Sequence, residues 1–302
     1  MIFLKKYNKI VKIFLKFFFL RLNKSIDIRS ICDQSLSDAF FKINPKIIKL
    51  ILNNNKITFF DIGSRGGINV DLVKYKSLLN IYMSDADADA DADADALEGC
   101  KLIKGAIGEN NSSLVINLCK KRKTSSVLLP CGAFLDLYAR GVLSNFEVQN
   151  KIKVPARSIS KIFGNDPQGL DYVKIDVQGF ETSVIKGFGD VRPIIIEVEM
   201  SFVPLYENSS IFFDLGKRLY DEGYILFHQQ YVSRGAYGKY RTTSGYEHKI
   251  PIHGDAFFMI DWSREKGLNI LKGRESQWKA LMLMFGMGGI LDYAEDKICP
   301  KF

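Results

Sequence analysis

From residue 56 onward, short apolar runs alternate with stretches whose apolar residues recur at helical spacing. Alternation of this kind is the pattern of an α/β sheet with crossover helices. "KITFFDIG" (56–63) reads as a buried strand, "GINVDLVKYKSLL" (67–79) as a helix and "NIYM" (80–83) as a second short strand. "KLIKGAIG" (101–108) makes a third strand, and "SLVINL" (113–118) with "KIKVPARSI" (151–159) gives further strands or a hairpin around a variable insert. "LDYVKIDVQG" (170–179) is another buried strand, followed by a helix from about Phe180 to Lys186. "PIIIEVEM" (193–200) is an apolar strand whose proline stands at its start, where a missing N–H does least harm. "SSIFFDLGKRLYDEG" (209–223) is an amphipathic helix stopped by Gly223. "YILFHQQ" and "DAFFMID" read as the last strands, and residues 274–298 as one or two closing helices.

The expected organisation is a basic, helical N-terminal extension over residues 1–55 and one main domain over 56–302. In the extension, Lys5, Lys9, Lys12 and Lys16 fall on one stripe of a helix, with Phe14, Phe17 and Phe18 among the residues covering the remainder. The lysines interrupt the apolar run, so neither a signal-peptide core nor a membrane span fits. Two readings stay open: a helix lying on an anionic membrane surface, or one packed on the domain with its lysines in water.

Charge narrows the partners. The chain has 302 residues and a net charge of +8, but Lys5, Lys6, Lys9, Lys12, Lys16, Arg21 and Lys24 lie in residues 1–24 without a single acid. With those seven set aside the remainder carries +1, so no nucleic-acid partner is expected. Five scattered cysteines form no CxxC pair, which suggests reduced thiols in a cytosol. Three histidines leave little material for a zinc site, and no metal is expected.

Three segments carry chemistry. "FFDIGSRGG" (59–67) is a strand ending in an acid, then a glycine turn, then a predicted helix. Glycine lets the backbone turn sharply and come close to a ligand. The stretch lacks G-x-G-x-x-G and fits a D-x-G-x-x-x-G loop better. "DYVKIDVQGFETSVIKG" (171–187) ends its strand at Asp176, which the open-sheet rule places on the same rim as Asp61. "IIIEVEMSFVPLYE" (194–207) puts Glu197 and Glu199 on one strand face, either as site groups or as partners of a nearby Lys or Arg.

These segments, with "GAIGENNSSLVI" (105–116) and "GDAFF" (254–258), resemble the FkbM-type methyltransferase family over roughly residues 56–260. The resemblance implies a class I methyltransferase, Rossmann-like fold: a mostly parallel seven-stranded sheet with helices on both faces. It implies S-adenosyl-L-methionine as cofactor, contacted at Asp61, Gly63, Gly67, Asp85 and Ala106. It also implies O-methylation of a hydroxyl on a sugar, glycan or natural product. Asp176 and Glu199 are the expected catalytic groups; Glu181 and His253 are further candidates for the base. Gln178 stands where the family commonly has Glu, and Arg65 where Asn is frequent.

Residues 84–99, "SDADADADADADALEG", stand where the family's second strand ends in a ribose-binding acid. Asp85, 24 residues after Asp61, takes that place, with Asp87 next if the register slips. A solvated acidic loop and a divalent-metal site remain open for the run. Two other functions also stay open: a nicotinamide-dependent oxidoreductase, and a membrane-associated module with a decayed cofactor site. The expected acceptor is a small molecule or a lipid-linked sugar, and the expected location the cytoplasm, with peripheral contact at the inner membrane face through residues 1–24 as a further expectation.

Overall fold

A computed structural model describes residues 40–65, 67–86, 99–110, 112–131, 135, 143–235 and 250–291. The basic stripe of residues 1–24 and all of the Asp/Ala run beyond Ala86 lie outside the described residues. Those described fall in one compact unit, Ala39–Phe302.

In chain order the elements are α1 (Pro45–Leu52), β1 (Ile57–Ile62), α2 (Val70–Val73), β2 (Leu79–Ser84), β3 (Lys101–Leu102), β4 (Ala106–Ile107), β5 (Ser113–Cys119) and β6 (Val148–Arg157). There follow α3 (Ile159–Phe163), β7 (Tyr172–Ile175), α4 (Glu181–Lys186), β8 (Ile195–Ser201), α5 (Phe212–Asp221), β9 (Tyr224–Gly235), β10 (Ile250–Ile260), α6 (Glu265–Leu271) and α7 (Glu275–Met284). The main sheet has seven strands in the order β3-β2-β1-β7-β8-β10-β9. β10 alone is reversed: it pairs antiparallel with both β8 and β9, while the remaining pairs are parallel.

Neighbouring residues on a strand point to opposite faces, and both sets are buried here. Phe59 and Phe60, Tyr172 and Val173, and Ile195 and Ile196 are each at most 2% exposed. Both faces of the sheet are therefore covered, as parallel sheets require. The strand order reverses between β1 and β7, so the chain diverges on the two sides of that pair. A crevice opens beyond the strand ends at such a switch point.

Three differences from the sequence pattern have local causes. "KLIKGAIG" breaks in two, because Gly105 takes φ +100° and turns β4 away from β3 into a second sheet, β4-β6-β5. The run 67–79 forms only α2 and a single 3-10 turn at Lys76–Leu78 before β2 begins at Leu79, and ahead of that strand it buries Ile68, Leu72, Tyr75 and Leu78. The helix α6 lies ahead of the closing helices expected from residue 274. The expected hairpin at 113–118 and 151–159 is present, as β5 and β6 antiparallel.

Residues 40–52, assigned from sequence to the extension, pack into the core through Phe40, Phe41, Ile48 and Leu52. Asn44 caps α1 by accepting the N–H of Lys46, and Pro45 opens the helix where no N–H partner exists. Beneath the sheet, the Asp171 carboxylate accepts the N–H of Thr58 at 2.8 Å and a guanidinium hydrogen bond from Arg274 at 2.9 Å. Arg274 also donates to the Leu170 and Arg192 carbonyls, tying α7 to the start of β7.

Candidate functional site

The carboxyl ends of β1, β2 and β7 are stitched together by backbone bonds. Gly63 and Ser64 donate to the Ser84 carbonyl at 2.8 and 3.1 Å, and Asp176 donates to the Ile62 carbonyl at 2.9 Å. Gly63 has φ +85°, and a Cβ there would lie 1.8 Å from the Asp176 carbonyl oxygen. Only glycine allows these two strand ends to meet. Gly67 also has positive φ and closes the turn by donating to Ser64, but it stands behind the loop rather than on the cleft.

Above this seam is a cleft of about 260 Å³. Gly63, Arg65, Ser84, Asp85, Ala106, Lys174 and Asp176 line it, with Ile107, Ile116 and Val127 as its apolar side. Three of the residues expected to meet the cofactor (Gly63, Asp85 and Ala106) therefore share one cleft. Asp61 is different: it is 1% exposed and lies one residue behind the wall formed by Ile62 and Gly63. Neither of its carboxylate oxygens accepts a hydrogen bond among the described residues. Burial pushes its pKa up from 3.8 to about 6, against the pull of the Lys174 ammonium.

The register explains that charge pair. Asp61 is opposite Lys174, and Lys174 is opposite Glu197, on three adjacent strands and one face of the sheet. Tyr172, two residues before Lys174, stacks against Phe59 at 4.6 Å between centroids and donates its hydroxyl to Glu197. Lys174 stays a cation: burial works against its charge, but Asp61, then Glu197, more than offset it. Glu197 thus belongs to a buried charge ladder, one of the two readings open from sequence.

Beside the cleft lies a second cavity of about 450 Å³, which shares Lys123, Asp176 and Gln178 with the first. Glu199, Glu181, Tyr206 and His253 line it as well. Gln178 Nε2 donates to Asp176 Oδ1 at 2.8 Å and also to Glu199 Oε2. The Tyr206 hydroxyl is 2.9 Å from Gln178 Oε1 and 3.0 Å from the Thr124 carbonyl, its one proton serving both acceptors. Ser126 donates to the Gln178 carbonyl at 2.7 Å. Gln178 adopts φ +56°, a left-handed conformation costly for a side-chain-bearing residue and held here by these contacts.

Each carboxylate has a distinct setting. Glu199 has its pKa raised well above 4.5, by burial first and then by Asp176. His253 Nδ1 stands 3.4 Å from Glu199 Oε1, and burial holds the imidazole below 6.5 and neutral. Glu181 accepts the Val177 and Gly179 N–H groups at 3.1 and 3.0 Å, so it fixes the loop between β7 and α4. Asp255, opposite Glu199 in register, is pushed up to about 7 by burial and then by Glu197.

Sequence reasoning brought Asp176 and Glu199 together but missed Lys174, Asp255, Tyr206 and the Ser126–Thr124 segment. A signal existed for two of them. Lys174 and Asp255 are charges at alternate positions in apolar strands, as Asp176 and Glu199 are. Tyr206 and Thr124 carry no such mark.

Strand order, one reversed strand and a cleft at the β1–β7 switch point define the class I methyltransferase fold. Residues 98–226 match the family described as Methyltransferase FkbM domain. Its cofactor is S-adenosyl-L-methionine. The matched residues include β7, α4 and Glu199 but not the Asp61 turn or Asp85. No curated protein matches the chain.

Solved structures similar in fold include a SAM-dependent methyltransferase from Aquifex aeolicus, at 12% identity over 78% of this chain and 100% of that one, TM-score 0.30. Magnesium protoporphyrin IX methyltransferase from Synechocystis PCC 6803, solved with bound SAM, is 11% identical over 71% and 76%, TM-score 0.31. An rRNA methylase from Streptococcus thermophilus is 8% identical over 72% and 98%, TM-score 0.31. Likeness this slight carries no argument; the fold class rests on the strand order.

The residues present fit the cofactor. Gly63 lines the cleft at the seam, Asp85 offers a carboxylate at the end of β2, and Ile107, Ile116 and Val127 offer an apolar wall for a base. No helix among the described residues is long and apolar enough to cross a membrane.

Proposed function

We propose that the chain is an S-adenosyl-L-methionine-dependent O-methyltransferase whose acceptor is a hydroxyl of a sugar, glycan or natural product. The observation that carries the reading is that Asp176 stands on the boundary of both cavities, with its carboxylate hydrogen-bonded to Gln178. The cofactor supplies an electrophilic methyl group on a sulfonium that leaves as a neutral thioether. Asp85 would hold the ribose hydroxyls, since a carboxylate can accept from both.

A hydroxyl is a weak nucleophile at neutral pH, and a base within reach typically contributes about 10²–10⁴-fold. Asp176 would accept the hydroxyl proton as the new O–C bond forms. Glu199 and the neutral His253 line the same cavity, where each would donate or accept a hydrogen bond to the acceptor. Much of the remaining acceleration comes from holding the hydroxyl in line at near-attack distance. Gln178 contributes to that by locking the carboxylates.

Calorimetric titration of S-adenosylhomocysteine is the test, with Asp85→Ala and Asp176→Asn beside the wild type. Binding lost in Asp85→Ala and kept in Asp176→Asn, with methyl transfer abolished in the latter, is the expected pattern. A well-folded wild type that binds no S-adenosylhomocysteine would overturn the reading.

A further inference from the structure

The second cavity is built like a binding pocket lined by groups of opposite charge. The half-buried Asp176, Glu199 and His253 line it together with the exposed Lys121 and Lys123 and with Tyr206, Phe146 and Leu205. These lysines belong to the run "KKRK" (120–123), the densest positive charge in the described residues; Arg122 and Lys123 also line the first cleft, whereas Lys121 lines the second cavity alone.

The backbone that presents them is fixed at close intervals. Lys120 and Lys121 donate to the Glu147 and Asn145 carbonyls at 2.9 and 3.1 Å. Thr124 donates its hydroxyl toward the Lys121 and Asn145 carbonyls, at 2.8 and 2.9 Å, and its N–H to Lys121 at 2.9 Å. Tyr206, which reaches Gln178 on one side, reaches the Thr124 carbonyl on the other. The lysine segment and the carboxylate pair are therefore parts of one hydrogen-bonded frame. Two exposed lysines on the wall of one cavity are a site for a charge-assisted contact with an anion. Burial and the neighbouring Asp176 favour the protonated form of Glu199, which lessens the repulsion of an anionic ligand.

From this arrangement we infer that the acceptor is an anionic polyol: a sugar or similar hydroxyl-bearing molecule with a phosphate or carboxylate group seated on Lys121 and Lys123 and a hydroxyl presented to Asp176. The inference rests on the O-methyltransferase reading for the fate of the hydroxyl, but the anion site stands on its own geometry.

The test uses the full chain saturated with S-adenosylhomocysteine and three probes: glucose 6-phosphate, glucuronate and glucose. Both anionic probes should bind at least about tenfold more tightly than glucose, and raised salt should close the gap. Lys121→Gln should close it too, with the affinity for S-adenosylhomocysteine unchanged, because Lys121 lines only the second cavity. Glucose binding as well as the charged probes overturns the inference, as does indifference to Lys121→Gln or failure of both anions to bind at millimolar concentration. Failure of the wild type to bind S-adenosylhomocysteine counts against the methyltransferase reading instead. Anion binding lost only in Lys121→Gln would then still establish the lysine site.

Discussion

The side-chain amide of Gln178 donates to Asp176 at 2.8 Å. The same nitrogen reaches Glu199, so one side chain holds both candidate catalytic carboxylates. Removing it leaves Asp176 and Glu199 without the donor that bridges them. Gln178→Ala should lower kcat by about 10²-fold, the scale of a lost positioning contact, while the affinity for S-adenosylhomocysteine changes little. Gln178→Glu should raise the apparent pKa of the pH–rate profile by adding a third carboxylate. A Gln178→Ala enzyme with wild-type kcat would show the amide to be incidental.

Asp61 neutralises Lys174 below the cleft. In Asp61→Asn the ammonium loses the largest of its counter-charges, with Glu197 remaining, and the cleft floor becomes more positive. A sulfonium should suffer more from that than a neutral thioether. S-adenosylmethionine affinity should fall by about tenfold more than S-adenosylhomocysteine affinity, which is about 1.4 kcal/mol. Equal losses for the two ligands, read by calorimetry, would rule out the electrostatic account.

Stability should fall as pH rises from about 4 to 7. Asp61 has its pKa raised from 3.8 to about 6, and Glu181 from 4.5 to about 7, both chiefly by burial. Between the unfolded and folded values the native state binds more protons than the unfolded chain, so stability drops across that window and levels off above it. At about 1.36 kcal/mol per pH unit, each group contributes about 3 kcal/mol. The histidines His228 and His253, held below 6.5 by burial, work in the opposite direction but are fewer than the raised carboxylates. Urea midpoints at pH 5 and 7.5 check the sign, and Asp61→Asn should flatten the profile.

Gly63→Ala should destabilise the fold and abolish cofactor binding together. The added methyl would stand 1.8 Å from the Asp176 carbonyl, and the backbone is at φ +85°. Strain of that kind costs about 1–3 kcal/mol before the clash is counted. A thermal melt of the variant equal to wild type would mean that the β1–β7 seam can open freely.

Arg274→Met should cost about 3–5 kcal/mol, because it strands a buried Asp171 carboxylate. Cofactor affinity in the surviving folded fraction should be unchanged, since the pair lies at the other end of β7 from the cleft. Denaturant unfolding separates the two effects.

The linear pattern of apolar runs was enough to determine the α/β class, most of the strands and the presence of Asp176 and Glu199 near one rim. Strand residues announce themselves through local hydrophobicity and turn chemistry, which the sequence carries directly. Asp61 and Asp176 were readable because a charge that ends an apolar run is conspicuous. What the sequence could not decide was everything that depends on register and on contact across many residues. Whether Asp61 lines the cleft or backs it, and that its partner is Lys174, follows from which residues face each other on β1, β7 and β8. The bridge from Thr124 through Tyr206 to Gln178 joins three segments with no common motif, because hydrogen bonds depend on distances in space rather than on spacing along a chain. Tertiary structure alone brought the lysines of residues 121–123 to the wall of the carboxylate pocket, and in doing so gave the site charges of both signs.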